Sequence, residues 1–269
     1  MDRSAWQIFG ERRRARYAPA AALLLLLVAG LGSSLLTACT PSGATRAERL
    51  PSGINDAFLD EDLDVEQYVE RFEGESRAVY AERRAIVDAL ALSPGDAIAD
   101  IGAGTGFFSL LFVDAVSPGR ASGDAPGDDS SDSGRVYAVE ISPRFLDHLR
   151  KRAAAEAPGR LTVVEGTARS VSLPEASIDV AFICDVYHHF EYPSESLASL
   201  HSSIRPGGSL VLIDFERIEG VSPAWLLEHV RAGREVFQAE IEAAGFRLVE
   251  EVELEGLDDN YFLRFARID

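Results

Sequence analysis

The feature that most constrains the fold of this chain is a short apolar run, AIADI, that opens directly into the glycine-rich stretch GAGTGFF. Further apolar runs follow at VYAVEI, LTVVEG, IDVAFICD and SLVLIDF, and helical sequences such as PRFLDHLRKRAAAEA and SESLASLHSSI lie between them. Continuous apolar runs are typical of strands buried on both faces of a parallel sheet. The alternation therefore predicts an α/β fold with a doubly wound sheet over residues 93–269.

The two ends of this α/β region differ from its middle. Helical stretches between residues 55 and 92 precede the first strand and predict an N-terminal helical cap. The segments FRLVEEVEL and NYFLRFARI predict an antiparallel hairpin that closes the sheet with a reversed last strand. Residues 119–134 are acidic and contain no apolar residue larger than alanine, so they predict a disordered insertion between the first helix and the second strand.

The glycine-rich stretch predicts a ligand site. Glycines at positions 102, 104 and 106 let the backbone turn tightly and approach a ligand without a Cβ atom in the way, and the following helix offers unpaired N–H groups. The spacing does not fit a dinucleotide fingerprint, and no Gly-Lys-Ser/Thr sequence of a P-loop follows. Glu140 ends the second strand about 20 positions later once the insertion is set aside, the separation at which an acidic residue accepts ribose hydroxyl groups.

These residues together resemble the class I S-adenosylmethionine-dependent methyltransferases. Residues 100–106 match the family's motif D-x-G-x-G-x-G, Glu140 matches its acidic residue after the second strand, and RPGG before SLVLIDF matches its turn into the fifth strand. The resemblance implies a Rossmann-like, doubly wound sheet of seven strands with a C-terminal antiparallel hairpin strand. It also implies S-adenosylmethionine as the cofactor and in-line methyl transfer to a small-molecule or lipid-related acceptor.

The resemblance also implies which residues bind the cofactor. Thr167 stands where the family commonly has aspartate, so recognition of the adenine would use backbone groups of Thr167 and Ala168. The complete set of predicted cofactor residues is Asp100, Gly102, Ala103, Gly104, Thr105, Gly106, Glu140, Thr167, Ala168 and Asp185.

The sequence CDVYHHF follows the fourth strand, at the carboxyl edge of the sheet where ligands bind. We predict His188, His189 and Tyr187 as catalytic candidates, because a histidine near its ordinary pKa can remove a proton from an oxygen or nitrogen nucleophile. One of the two histidines could instead pack or cap the next helix. Neighbouring histidines point in different directions on a regular backbone, so we expect no metal site with Asp185.

Three further residues are candidates for the acceptor site, although each could be a plain surface charge. His229 and Arg231 follow the fifth strand, where a wall of the acceptor pocket is expected, and Arg77 belongs to the helical cap.

The N-terminus has the parts of an export signal. Arginines at positions 12–14 and 16 precede a run of five leucines, and Leu36-Thr37-Ala38-Cys39 follows. The pattern is similar to a bacterial lipoprotein signal, which implies cleavage after residue 38, a lipid on Cys39, a flexible tether over residues 39–54 and anchoring in the cell envelope. The alternative is an uncleaved membrane helix over residues 18–38. The domain would be cytoplasmic if the signal were not processed.

Composition limits which partners and which disulfides the chain can have. The net charge of −18 argues against nucleic acid as a partner, because binding phosphates needs a basic surface. With Cys39 lipidated, Cys184 has no second cysteine for an intrachain disulfide. Two alternative functions stay open: an NAD(P)-dependent oxidoreductase, which the glycine spacing disfavours, and a lipoprotein that binds a cofactor without catalysis.

Overall fold

The computed structural model describes residues 53–117 and 134–269. The predicted signal peptide, Cys39, nearly all of the predicted tether and nearly all of the predicted insertion lie outside these described residues.

One sheet contains the seven strands of the described residues, in the order β3-β2-β1-β4-β5-β7-β6. The strands are β1 (Ala97–Ile101), β2 (Arg135–Glu140), β3 (Leu161–Glu165), β4 (Ile178–Cys184), β5 (Ile204–Phe215), β6 (Phe246–Glu251) and β7 (Asn260–Arg267). Strands β1 to β5 pair in parallel, whereas β7 runs antiparallel to both β5 and β6. The predicted seven-stranded, doubly wound sheet with a C-terminal antiparallel hairpin is confirmed.

The helices of the described residues surround this sheet and precede it. They are α1 (Asp56–Leu59), α2 (Val65–Phe72), α3 (Ala78–Ala81), α4 (Arg83–Ala89), α5 (Phe107–Val116), α6 (Pro143–Glu156), α7 (Pro193–Ser203), α8 (Ala224–His229) and α9 (Arg234–Ala243). The second helical stretch of the predicted cap is divided at Glu82, whose φ of −90° and ψ of 12° leave the helical region. Among the described helices, none is both long and apolar enough to cross a lipid bilayer.

Two apolar layers cover the faces of the sheet, in agreement with the continuous apolar strands. Phe182 of β4 packs in the layer that contains Phe112 of α5 and Leu149 of α6. The next residue, Ile183, packs in the opposite layer, which contains Phe237 of α9. Both faces of the central strands are therefore buried, and the free surface for a ligand is the edge at which the parallel strands end.

A third, smaller apolar group attaches the N-terminal helices to α6. Val65 and Phe145 form its buried centre, and Phe58, Tyr68 and Phe72 pack against them. The ring centroids of Tyr68 and Phe145 lie 5.5 Å apart in an edge-to-face arrangement. This packing holds α1 and α2 close to the carboxyl ends of the strands.

The strand order reverses between β1 and β4. From β1 the chain moves to β2 and β3 on one side, and from β4 to β5 on the other. In open α/β sheets, ligands bind beyond the carboxyl ends of the strands at such a switch point. The glycine stretch after β1 and the histidines after β4 both lie at this place.

Candidate functional site

The glycine stretch after β1 forms a loop in which glycine is required for two different reasons. Gly102 has a φ of +70°, and a Cβ atom there would lie 2.4 Å from Cγ1 of Val186, so packing excludes a side chain. Gly104 has a φ of +54°, but a Cβ atom at this position would have the Phe72 ring as its nearest neighbour, 3.7 Å away. Gly104 is therefore required for its left-handed backbone and not by packing, and it lies buried beneath the helical cap.

Glu140 at the end of β2 fixes this loop. Its Oε2 accepts a hydrogen bond from the Gly104 N–H at 2.9 Å, while Oε1 accepts from the N–H groups of Ile141 at 2.7 Å and Ser142 at 3.0 Å. Burial raises the pKa of Glu140, and these three donors oppose the rise. The structure thus brings the glycine loop and Glu140 together, and the contact with a ribose stays a prediction.

Asp100 supports the loop from within the core. Its Oδ2 accepts a hydrogen bond from Oγ of Ser109 at 2.6 Å, which joins the end of β1 to the first turns of α5. Burial, opposed by Ser109 and reinforced by the nearby charge of Glu140, raises the pKa of Asp100 from 3.8 to about 7. Asp100 is 4% exposed and its bond to Ser109 positions the loop, and its contact with the cofactor stays a prediction.

The cap and the loop are also joined through Arg152 of α6. Thr105, predicted as a cofactor residue together with the neighbouring Ala103 and Gly106, is buried. Its carbonyl accepts a hydrogen bond from Arg152 of α6 at 2.9 Å, and Arg152 forms an ion pair with Glu73 at 2.9 Å. Because Glu73 directly follows α2, the cap and the loop share one arginine.

Asp185 lies where β4 ends and has a left-handed backbone with a φ of +53°. Its carboxylate accepts hydrogen bonds from Arg77 at 2.7 Å and from Nδ2 of Asn260 at 2.7 Å. Burial raises the pKa of Asp185, and the Arg77 guanidinium opposes this rise. The structure therefore brings together two predicted residues, Asp185 and Arg77, as a partly buried ion pair at the edge of the site.

A 3₁₀ turn over residues 187–189 places His188 and His189 side by side, with ring centroids 4.3 Å apart. His229, at the end of α8, lies with its ring centroid 5.1 Å from that of His188 and 5.0 Å from that of His189. Nδ1 of His188 is 2.7 Å from Oδ1 of Asp214, which is fully buried in β5. Three predicted residues therefore form one cluster. The expectation that neighbouring histidines diverge is wrong here, because the turn is tighter than a regular helix or strand.

Burial also lowers the basicity of two of these imidazoles, those of His189 and His229. Burial, followed by the neighbouring His188 and His229, lowers the pKa of His189 to about 2. Burial followed by His188 likewise lowers the pKa of His229. Both rings are therefore neutral near pH 7 and are weak general bases, which argues against the proton-removing role predicted for His189.

Two predicted residues, Tyr187 and Arg231, are bonded to α9. Tyr187 is fully buried, and its hydroxyl donates a hydrogen bond to Oε2 of Glu240 at 2.8 Å. Arg231 donates two hydrogen bonds to the same carboxylate, at 2.8 Å and 2.6 Å. Glu240 of α9 therefore bonds the Tyr187 hydroxyl and the Arg231 guanidinium, and the catalytic role of Tyr187 and the acceptor-binding role of Arg231 stay predictions.

Some of the backbone groups that are predicted to contact the adenine already form hydrogen bonds within the protein. The Thr167 N–H donates to the Ser170 carbonyl at 2.8 Å, and the Ala168 carbonyl accepts from Oγ of Ser196 at 3.2 Å. The backbone donor predicted for Thr167 is therefore already used within its own turn.

Sequence reasoning missed three polar residues of the site. Asn260 begins β7 and reaches Asp185, and Asn55 donates to the His189 carbonyl at 3.1 Å and to Oε1 of Glu191 at 2.9 Å. Nothing in the sequence near either asparagine indicates these distant contacts. Asp214 could have been predicted from the sequence, because an aspartate inside the apolar strand SLVLIDF must find a buried partner.

Comparison with known proteins agrees with this geometry. Residues 99–212 match the family model described as a methyltransferase domain. This part of the chain is therefore similar to a methyltransferase domain. The matched segment begins in β1 and ends in β5, so it contains the glycine loop, Glu140, Asp185 and the histidine pair.

Individual relatives extend the comparison. A ubiquinone/menaquinone biosynthesis C-methyltransferase UbiE from Ruegeria sp. (strain TM1040) is 26% identical over 135 residues, 50% of this chain and 48% of that protein. A malonyl-[acyl-carrier protein] O-methyltransferase from Serratia marcescens is 30% identical over 118 residues, 44% of this chain and 38% of that protein. The chain spans about half or less of the length of these curated relatives.

The fold has solved counterparts. The crystal structure of a SAM-dependent methyltransferase from Aquifex aeolicus superposes with a TM-score of 0.61 at 18% identity, covering 76% of this chain and 99% of that one. The described residues therefore have the Rossmann-like fold that S-adenosylmethionine-dependent methyltransferases have.

Proposed function

We propose that this chain binds S-adenosylmethionine at the glycine loop and transfers its methyl group to a small-molecule or lipid-related acceptor. The observation that carries the proposal is the bond between Glu140 and Gly104, which places a buried carboxylate and a glycine backbone together at the switch point of the parallel sheet. Glu140 is suited to accept the ribose hydroxyl groups, and Gly104 has no side chain between this carboxylate and the Phe72 ring.

The protein's own contribution is position and the exclusion of water. S-adenosylmethionine supplies the reactive methyl group when bound, so the chain must align the acceptor with it. Phe72 lies over the glycine loop, and Phe58 packs its ring edge-on to His189 with centroids 5.3 Å apart. The helical cap therefore covers the loop and the His189 side of the histidine cluster.

The acceptor side is the histidine cluster beyond β4 and β5. His188, His189 and His229 present imidazole nitrogens to one place, and these nitrogens can bind an oxygen or nitrogen atom of an acceptor. The names of the two curated relatives give a C-methyltransferase of quinone biosynthesis and an O-methyltransferase of malonyl-acyl-carrier protein. These names support a small-molecule or lipid-related acceptor class for this chain.

A pair of glycine variants tests cofactor binding. Gly104 and Gly220 both have positive φ values, +54° and +76°, and at neither position would a Cβ atom lie closer than 3.7 Å to a neighbouring atom. Gly104→Val and Gly220→Val therefore share the same backbone strain, but only the first fills the proposed cofactor space. We expect millimolar S-adenosylmethionine to raise the melting temperature of wild type and of Gly220→Val, and not that of Gly104→Val.

The same experiment separates the alternatives. A rise with NADH and none with S-adenosylmethionine would favour the oxidoreductase. A rise with S-adenosylmethionine but no transfer of labelled methyl to any extract fraction would favour binding without catalysis. Wild type that is not stabilised by millimolar S-adenosylmethionine would overturn the proposal.

We further propose that Cys39 is lipidated and anchors the domain in the bacterial cell envelope. The support is the sequence pattern of residues 1–39 alone. Metabolic labelling with a fatty acid should mark wild type and Cys184→Ala, but not Cys39→Ala. Protease added to intact cells should digest an exported domain, and full protection would instead place the domain in the cytoplasm.

A further inference from the structure

Three of the chain's five histidines gather beyond the carboxyl ends of β4 and β5. One nitrogen each of His188, His189 and His229 lies within 4.8 Å of the other two. The first two come from the 3₁₀ turn after β4 and the third from the end of α8, so the tertiary fold, and not a local repeat, assembles the group. Imidazole nitrogens in such a group are the ligands that zinc, copper, nickel and iron prefer.

Asp214 orients the buried member of the group. Its Oδ1 lies 2.7 Å from Nδ1 of His188, and the carboxylate also accepts the backbone N–H groups of His188 at 3.2 Å and Phe215 at 2.8 Å. Because Nδ1 donates its hydrogen to Asp214, the lone pair of His188 is on Nε2. Histidines that bind metals almost always donate their other ring N–H to a carboxylate, carbonyl or water in this way.

The group has one side open to ligands. His188 is buried and His189 is half-buried, whereas His229 is exposed. Asn55 and Phe58 hold the turn that carries His189 from the cap side, through the hydrogen bond to its carbonyl and the edge-on ring contact. An ion would therefore approach the group from the side of the exposed His229.

We propose that His188, His189 and His229 bind one divalent transition-metal ion of the zinc class. Zinc–nitrogen bonds of about 2.1 Å in a tetrahedral site bring the nitrogens to about 3.4 Å from one another. Small rotations of the exposed His229 side chain and the half-buried His189 close the present separations. Three histidines with one open position are the ligand set of a catalytic zinc site.

The open coordination position would let such an ion activate an atom of the acceptor. An oxygen or nitrogen atom of the acceptor bound there would lose its proton more easily, so a free imidazole base would not be needed. This use rests on the proposed methyl transfer, whereas metal binding itself does not.

The test uses the full chain in detergent, stripped of metal with a chelator and dialysed. Titration calorimetry with Zn²⁺ should give one site per chain, and Co²⁺ should give the visible absorption bands of a tetrahedral nitrogen site. His229→Ala should weaken Zn²⁺ binding at least tenfold, and the positioning variant Asp214→Asn should weaken it by about 10- to 100-fold.

His201→Ala is the matched control. His201 lies at the end of α7, where Nε2 bonds to the Ile268 carbonyl at 2.8 Å, and it takes no part in the cluster. This variant should bind Zn²⁺ like wild type. Wild type without a stoichiometric site, or equal affinity in His229→Ala and His201→Ala, would overturn the proposal. Stabilisation by S-adenosylmethionine is measured on the same samples, so failure of the metal site and failure of the proposed function are distinguishable.

Discussion

The Arg77 guanidinium lies 2.7 Å from the Asp185 carboxylate and joins two segments that are 108 residues apart in the chain. Arg77 immediately precedes α3 in the helical cap, and Asp185 immediately follows β4 at the edge where the glycine loop and the histidine cluster meet. Asp185 is only 5% exposed in its side chain, so its charge depends on this partner. The pair therefore connects the cap to the site that the cap covers.

Removing the arginine should cost stability in a pH-dependent way. Arg77→Ala leaves a buried carboxylate with one partner fewer, and we expect the free energy of unfolding to fall by about 1–3 kcal/mol. Without Arg77, the pKa of Asp185 in the folded state rises further above its unfolded value. Protonation of Asp185 at low pH removes its unpaired charge from the folded variant. The loss of stability should therefore be larger at pH 7 than at pH 4.5.

Urea unfolding at the two pH values measures this difference. Arg84→Ala, at an exposed position of α4, is the control and should change the free energy of unfolding by no more than about 0.5 kcal/mol. An equal loss at both pH values in Arg77→Ala would contradict the role of Asp185.

Asp100 should make the fold less stable as the pH rises. Its pKa is about 7 in the folded state against an ordinary 3.8, so between these values the folded chain holds a proton that the unfolded chain has released. The free energy of unfolding from this group alone therefore falls as pH increases, by up to about 1.4 kcal/mol per pH unit. Asp100→Asn removes the titration and can still accept the Ser109 hydrogen bond.

The measurement is the free energy of unfolding of wild type and Asp100→Asn from pH 4.5 to 7.5. We expect the free energy of unfolding of the variant, relative to that of wild type, to increase from pH 4.5 up to about pH 7. Parallel curves for the two proteins would mean that Asp100 is ionised throughout.

Glu140→Gln should weaken S-adenosylmethionine binding. Glutamine has nearly the shape of glutamate, but its NH₂ group would face either the Gly104 N–H or the N–H groups of Ile141 and Ser142. One acceptor for a ribose hydroxyl is lost as well, so we expect affinity to fall at least tenfold, which corresponds to about 1.4 kcal/mol or more.

Glu165→Gln is the matched control for this prediction. Glu165 pairs with Glu140 in the register of β2 and β3, but it is exposed. Titration calorimetry should show unchanged S-adenosylmethionine affinity in Glu165→Gln. Equal affinities in the two variants would remove Glu140 from the cofactor site.

The parts of this fold that the sequence predicts are those that local patterns determine. Apolar runs buried on both faces predict the parallel strands, and the distance from the glycine loop to Glu140 is set by one βα unit. The contacts of Asn260 with Asp185 and of Asn55 with His189 join distant parts of the chain, and no local pattern records them. Such pairings become visible only when the tertiary fold is known.

The histidine turn shows a second limit of sequence reasoning. On a regular backbone, neighbouring side chains point in different directions, and the prediction for this motif rests on that geometry. The chain instead forms a 3₁₀ turn, in which His188 and His189 share one side and Tyr187 points into the core. The sequence locates the motif correctly, but the roles of its members depend on a local geometry that the residue types do not determine.

Tyr187→Phe tests that distinction. The Tyr187 hydroxyl donates to Glu240, whose carboxylate also accepts two hydrogen bonds from Arg231. Phenylalanine keeps the ring that packs edge-on against Phe237 and loses one hydrogen bond, so the free energy of unfolding should fall by about 1 kcal/mol. Because the hydroxyl faces α9, S-adenosylmethionine affinity and methyl transfer should stay at wild-type values. A large loss of transfer rate with unchanged stability would instead indicate a catalytic role for Tyr187.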